Sequence, residues 1–184
     1  LGRAEPGKRF AARKPSPGIP FEPPFAAPRR LEVPCPASEG SEGATTIIVN
    51  WLSRPAADAA EALALEVLSE ILLGHDGAPL SMALRDSGLG EDLSPQSGLD
   101  SSYRQAIFTA GLRGARRGDE ARIEELVVGT VRALAAEGFK AEALEAALHS
   151  IAFANKGIRR GSGTYGLRLM NRALRGWLHG AHPE

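Results

Sequence analysis

The alternation of apolar and polar positions divides the first half of the chain into one strand and two helices. Residues 45–52 predict a strand, because Ile47, Val49 and Trp51 alternate onto one face and β-branched residues are frequent. Residues 57–73 predict a helix with a wide apolar stripe. A shorter helix follows, from Ala78-Pro79 to about residue 88, and the polar residues 90–99 predict a strand or a twisted loop.

The second half of the chain is dominated by helical spacing. Residues 103–113 alternate and predict a strand, after which Asp119 predicts the N-cap of a helix that ends at Gly138. A further helix is predicted over 141–155, with Leu144, Leu148 and Ile151 buried, and a last one from Thr164 onward. We interpret the order as β-β-α-α-β-β-α-α-α, in which one of the two leading strands has no residue range assigned. The predicted fold class is therefore α+β, an antiparallel sheet with helices packed on one face.

Residues 1–28 differ in composition from the rest. Nine of the 13 prolines lie in the first 36 residues, which excludes a helix or a central strand there. Seven Lys and Arg side chains lie within residues 1–30, so an arm that binds phosphates or an acidic partner is one interpretation. Nucleic-acid arms are usually richer in basic residues and poorer in proline. We therefore predict a Pro-rich basic linker or arm over 1–28, followed by one α+β domain over 29–184.

Bulk properties limit the partners and the compartment. The 22 basic and 22 acidic side chains balance, which predicts neither a nucleic-acid nor a membrane partner. The single cysteine, Cys35, excludes an internal disulfide and a cysteine-based zinc cluster, and we interpret it as small apolar filler between two prolines. The sequence contains no signal peptide or membrane-span pattern, so a cytoplasmic location is expected. Because the chain opens on Leu1, we expect it to be a piece of a longer protein.

Few residues have the types and spacing that catalysis or metal binding needs. A zinc hydrolase site requires about three protein ligands and a carboxylate base. His179 and His182 form the one close histidine pair, at the chain end, where adventitious binding is the better interpretation. His75 is predicted in a turn between helices and His149 on the exposed or half-buried side of its helix. The glycine-rich residues 157–163 follow a helix and lack the Gly-Lys-Ser/Thr ending of a phosphate loop. We predict no catalytic, metal-binding or cofactor-binding residue.

The last predicted helix carries a basic stripe formed by Arg168, Arg172, Arg175 and His179, opposite Leu167, Met170 and Leu174. A solvated face is the simple interpretation of this stripe. The alternative is a contact with a neighbouring domain or with an acidic peptide.

Several sequence strings along the chain resemble one peptidase family. They are PF at 24–25 and PRR at 28–30, VNWL at 49–52, ALEVLSEILLG at 64–74, APL at 78–80, DSGLGED at 86–92, GLRG at 111–114, EGF at 137–139 and GLRLMNRAL at 166–174. Together they resemble the presequence-protease branch of the pitrilysin/insulinase family of zinc metallopeptidases. The resemblance covers about residues 24–180, and the 86–92 string is its most specific part.

The resemblance implies a domain of a larger enzyme. Members of this family have four homologous α+β domains that close into a chamber around unfolded peptides, and this chain resembles the second, non-catalytic domain. The first domain has a His-x-x-Glu-His zinc motif, whereas here His75 precedes Asp-Gly-Ala-Pro and His149 precedes Ser-Ile-Ala-Phe. The resemblance thus implies an inactive chain, with zinc in the catalytic domain of the full-length protein. The implied partners are the other domains of the same polypeptide and unfolded peptide. The alternative is an inert structural or assembly protein of the same fold.

Overall fold

Four strands and five helices form the regular structure of residues 20–36, 44–55, 59–156 and 165–178, the parts of the chain that the computed structural model describes. In chain order they are β1 (Ala44–Pro55), α1 (Ala59–Leu73), α2 (Pro79–Asp86), β2 (Asp92–Leu93), β3 (Gly98–Asp100), β4 (Gln105–Arg116), α3 (Glu120–Glu137), α4 (Ala141–Lys156) and α5 (Tyr165–Leu178). The predicted α+β class is confirmed.

β4 is the strand that holds the sheet together. It pairs antiparallel with β1 along nearly its whole length, with Ile47 opposite Leu112 and Leu52 opposite Ile107. Along its other edge β4 pairs with the short strands β2 and β3. β4 therefore lies between β1 and the two short strands.

The predicted strand order needs two corrections. In the described residues a single strand, β1, precedes the first helix, where a pair of strands was predicted. The polar segment 90–99 contributes to two short strands instead of one. Pro95 lies between them and has no backbone N–H to donate, and the Ser97 N–H donates to the Ser94 carbonyl in a turn (2.8 Å).

The hydrophobic core lies between one face of the sheet and three helices. Ile47 and Val49 of β1 and the alternate residues of β4 point to this side, as the strand periodicity predicts. They pack with buried residues of α1, α2 and α3, of which Leu80, Ile123 and Val127 are 0% exposed. The helices thus cover one face of the sheet, as expected.

α4 packs outside this layer, against α1. Val67 and Ile71 of α1 meet Ala147 and Ile151 of α4 in a second, smaller cluster. Burial of Ile151 agrees with the prediction. Leu144 and Leu148, however, are 44% and 43% exposed, so their predicted burial is wrong. Among the described elements, only α1 covers α4 substantially, which leaves the remaining apolar side of α4 open.

The start of α3 follows the prediction in position but not in its hydrogen bonds. Asp119 is the N-cap residue, yet its carboxylate makes no capping hydrogen bond to the helix backbone. It accepts instead from Nη1 of Arg122 (2.8 Å), one turn along the helix. The neighbouring Glu120 carboxylate accepts the Gly118 N–H (3.0 Å), so that this backbone donor is satisfied from inside the first turn.

The β1–β4 pairing depends on a glycine. A Cβ atom at Gly111 would lie 2.1 Å from the Ile47 carbonyl oxygen and 2.7 Å from the Ile48 Cα, both backbone atoms that cannot swing away. The register irregularity between Thr45 and Ile47 lies beside this close approach. Gly111 therefore allows β1 to approach β4 closely enough for the ladder to form.

Replacing Gly111 by alanine should force the two long strands apart. We expect Gly111→Ala to lower the free energy of unfolding by about 1–3 kcal/mol, the usual cost of overpacking. The matched control is Gly129→Ala in α3, where an added Cβ meets nothing within 4 Å. That variant should gain about 0.5–1 kcal/mol from helix propensity. Urea unfolding measures both, and equal effects of the two substitutions would contradict the proposed role of Gly111.

Candidate functional site

The most specific sequence string, residues 86–92, forms the turn that joins α2 to β2. The Ser87 hydroxyl donates to the Leu84 carbonyl (2.6 Å) and accepts the Leu89 N–H (3.1 Å), which closes the end of the helix. Gly88 follows with φ +64°, in the left-handed region that favours glycine. The Glu91 N–H then donates to the Arg113 carbonyl (2.9 Å), and the chain enters the sheet.

Asp92 ends this turn and joins it to the sheet. Its carboxylate accepts the Leu93 N–H (2.8 Å) and Nη2 of Arg113 (3.3 Å), and Nε of Arg85 lies 3.7 Å away. The Leu93 N–H, followed by the Arg113 hydrogen bond, holds the pKa of the Asp92 carboxyl below its ordinary value of 3.8. Arg85 also bonds the Asp76 carboxylate (2.5 Å), in the turn between α1 and α2. The polar side chains of the turn thus connect α2, β2 and β4.

This arrangement is suited to holding the fold together and not to catalysis. A carboxylate paired with two guanidinium groups stays ionised and is a weak base, whereas a general base works best with a pKa near the operating pH. No group of three or more His, Cys, Asp or Glu side chains that could hold a metal occurs in the described ranges. The described residues therefore do not fit the zinc ion that the family resemblance implies for a catalytic domain.

The individual candidates from the sequence lie apart from one another. His75 is exposed in the α1–α2 turn and His149 is exposed on α4, as predicted. Cys35 is also exposed, so its interpretation as apolar filler is wrong, since proline neighbours hold it in an extended segment that does not enter the core. His179, His182 and the glycine-rich residues 157–163 lie outside the described residues.

Residues 20–36, called the arm below, attach to the domain near the start of β4. The guanidinium carbon of Arg104 lies 3.7 Å from the ring centroid of Phe21. The side-chain amide of Gln105 makes two hydrogen bonds with the backbone of Glu22. Its oxygen accepts the Glu22 N–H (2.7 Å), and its nitrogen donates to the Glu22 carbonyl (3.1 Å). The two-point bond is the pattern that a neighbouring strand would make, supplied here by a side chain.

The arm is attached a second time beside α3. Arg30 pairs with the Glu124 carboxylate (2.6 Å), and Glu32 pairs with Arg117. The predicted linker thus runs along the domain in its described part, where guanidinium groups lie over the rings of Phe21 and Phe25. Each exposed ion pair contributes about 0–1 kcal/mol, so the attachment is weak. The boundary at residue 28 stays a prediction.

α5 has an apolar face without a partner in the described part of the chain. Leu167, Leu169, Met170 and Trp177 are 49–63% exposed, and α5 makes at most marginal contact with the other described elements. The side chains of Arg168, Arg172 and Arg175 lie outside the description. The predicted basic stripe therefore stays a prediction, and the structure supports only the helix that would carry it.

With this geometry in place, comparison with known proteins identifies the family. Residues 8–151 match the family model described as Peptidase M16 inactive domain. The chain belongs to this family. It is 33% identical over 178 residues to the mitochondrial presequence protease of Mus musculus, covering 95% of this chain and 17% of that protein. It is 35% identical over 175 residues to the chloroplastic/mitochondrial presequence protease 1 of Arabidopsis thaliana, covering 92% and 16%. The resemblance predicted from the sequence motifs is confirmed.

The fold is also found in a solved structure. The crystal structure of a protein described as a zinc protease from Bordetella pertussis Tohama I aligns with a TM-score of 0.55 and 18% identity, covering 77% of this chain and 75% of that one. At this identity the likeness supports the fold alone. The M16 inactive domain described here spans about a sixth of the length of the two curated relatives named above.

One expectation is contradicted by these relatives. A cytoplasmic location was expected, but the curated relatives are named as mitochondrial or chloroplastic/mitochondrial proteins. Lack of a recognisable leader within residues 1–184 was therefore a poor guide to the compartment. Among the described helices, none has the length and apolar character to cross a membrane.

The Asp92 network predicts a defined response to acid. Because the folded pKa lies below 3.8 and the unfolded carboxyl takes its ordinary value, Asp92 stabilises the fold above that value, and this contribution is lost as the pH falls through the folded pKa. The stability deficit of Asp92→Asn relative to the natural chain should therefore be full at pH 6 and shrink below about pH 4. Urea unfolding across pH 2.5–7 measures it, and a deficit that grows toward acid would contradict the account.

The arm contacts predict that protease access depends on Gln105. Trypsin can cut after Arg29 and Arg30 once the arm leaves the domain surface. Gln105→Ala removes the two-point bond to Glu22 and should speed this cleavage by about fivefold, the factor that corresponds to about 1 kcal/mol. Gln96→Ala is the control, because Gln96 bonds Ser94 and not the arm. Equal cleavage rates in the two variants would show that Gln105 does not hold the arm.

Proposed function

We propose that this chain is a non-catalytic domain of a longer presequence-protease-like zinc metalloendopeptidase. It would form part of the chamber that encloses unfolded peptides and would support the domain that carries the zinc. The observation that carries the proposal is the match to an inactive peptidase domain over residues 8–151, in a chain whose described residues contain no metal-ligand cluster.

The distribution of polar contacts supports a structural role. Two segments that resemble the family, residues 86–92 and 111–114, contact each other through hydrogen bonds. The Arg113 side chain donates to the Asp92 carboxylate, and the Glu91 N–H donates to the Arg113 carbonyl. These strings therefore position α2 against the sheet. Residues that hold a reacting group would instead converge on an open cleft.

The exposed apolar side chains support burial against further polypeptide. Phe153 on α4 and Trp177 on α5 are 73% and 63% exposed, and Leu144, Leu148, Leu167 and Leu169 add to the same pair of helices. Large apolar side chains exposed in this way on two helices are candidates for contact with further polypeptide. The relatives have about six times the length of this chain, which supplies candidate partners within one polypeptide.

The proposal is tested on the longer polypeptide that contains this chain. That protein should contain one His-x-x-Glu-His motif outside residues 1–184, bind zinc with a stoichiometry of one, and cleave unstructured peptides until a chelator removes the metal. Peptide cleavage followed by mass spectrometry, with zinc measured on the same sample, gives the readout. A polypeptide without the motif that cleaves nothing would overturn the proposal in favour of an inert assembly protein.

We further propose that Arg168, Arg172 and Arg175 contact a neighbouring domain or peptide. Replacing all three by glutamate in the longer polypeptide reverses their charge and should weaken peptide cleavage at low salt. The effect should be smaller at high salt, because salt screens interactions between exposed charges. Arg132→Glu is the control for a charge reversal on an exposed helix position elsewhere. If the triple variant and the control have the same KM and kcat as the natural protein, the stripe is only a solvated face.

A further inference from the structure

β1 has a free edge in the described part of the chain. It pairs with β4 along one side, and the sheet order places it outermost. Residues 47–52 pair with residues 112–107 without interruption. Apart from the ladder with β4, no backbone hydrogen bond joins these six residues to the arm or to any other described segment. At about 3.4 Å per residue, they present about 20 Å of strand edge with which no other described segment pairs.

This edge lacks the features by which soluble proteins prevent strand addition. Such edges usually carry charged side chains, proline or bulges, or they are very short. Residues 44–53, ATTIIVNWLS, contain no charged residue, no proline and no glycine. The two register irregularities of β1 lie outside residues 47–52, between Thr45 and Ile47 and between Leu52 and Pro55. The central part of the edge is therefore long, regular and uncharged.

Most of the exposed side chains along the edge are apolar. Ile48 and Leu52 lie on the sheet face away from the helices and are each 38% exposed. Asn50 lies between them, and its side-chain oxygen accepts the Thr109 hydroxyl across the ladder (2.7 Å), so it is satisfied within the sheet. The edge thus has a row of backbone donors and acceptors, with the two aliphatic side chains Ile48 and Leu52 beside it. An extended strand with alternating apolar residues can pair with this backbone and cover both side chains.

We propose that residues 47–52 of β1 accept an additional strand from the longer polypeptide, with apolar side chains covering Ile48 and Leu52. This rests on the proposed function, because it needs polypeptide beyond the 184 residues. The relatives contain such additional polypeptide, because this chain corresponds to only 17% of the Mus musculus protein and 16% of the Arabidopsis thaliana protein. A tethered strand has an effective concentration in the millimolar range, which a free second copy of this chain does not reach. The intramolecular strand is therefore the favoured occupant.

The test compares hydrogen exchange in the 184-residue chain and in the longer polypeptide. Strand addition should slow exchange of the backbone amides in residues 47–52 by at least about tenfold in the longer polypeptide relative to the chain alone. Ile48→Lys places a charge on the edge and should abolish this difference. In the chain alone the same substitution should lower the unfolding midpoint only slightly, because Ile48 is already 38% exposed there. Met82→Lys, at a 47% exposed position on α2, is the control and should leave the exchange of residues 47–52 unchanged in both proteins.

Two results would overturn the proposal. Equal exchange of residues 47–52 in both proteins would show that the edge stays free. A dimer of the chain alone at micromolar concentration that Ile48→Lys dissociates would assign the edge to a second copy. The proposal is separable from the proposed function: equal exchange in a polypeptide that binds zinc and cleaves peptides defeats the added strand only. Slowed exchange in a polypeptide that cleaves nothing supports the added strand and defeats the peptidase assignment.

Discussion

The close antiparallel pairing of β1 with β4 is the interaction on which the rest of the structure depends. Among the described strands, β4 alone contacts all the others, and its core-facing residues Phe108, Ala110 and Leu112 form the surface on which the helices pack. Gly111 allows β1 to approach β4, because any side chain there would collide with the β1 backbone. If this pairing is lost, the apolar sides of α2 and α3 have no layer to cover them.

The second constraint is the turn that follows α2. Its serine and glycine close the helix, and Asp92 connects it to Arg113 of β4 and Arg85 of α2. The most family-specific string of the chain is thus explained by geometry and charge pairing within one turn. The described residues around it lack the clustered ligands of a zinc hydrolase, in agreement with membership of the inactive-domain family.

Local patterns predicted the elements that have strong periodicity. The alternation of Ile47 and Val49 and the helical spacing of Ile123 and Val127 match the core that the structure contains. The same reasoning failed for Leu144 and Leu148, because a stripe predicts which side is apolar but not whether another element covers it. Local sequence patterns also could not predict where the arm attaches to the domain. Its contacts join residues 83 to 94 positions apart through a glutamine amide and single charges, which no periodicity signals.

The β1–β4 ladder, the Asp92 turn and the exposed apolar side chains of α4 and α5 agree with the proposed non-catalytic role of this chain. In this account, the chain has the fold of the peptidase family, and its described residues lack the zinc ligands of a catalytic domain. Titration of zinc into the metal-free 184-residue chain by calorimetry, with peptide cleavage assayed on the same sample, tests that claim most directly. The account predicts no saturable zinc site and no cleavage. One zinc bound per chain, with cleavage that a histidine substitution abolishes, would contradict it.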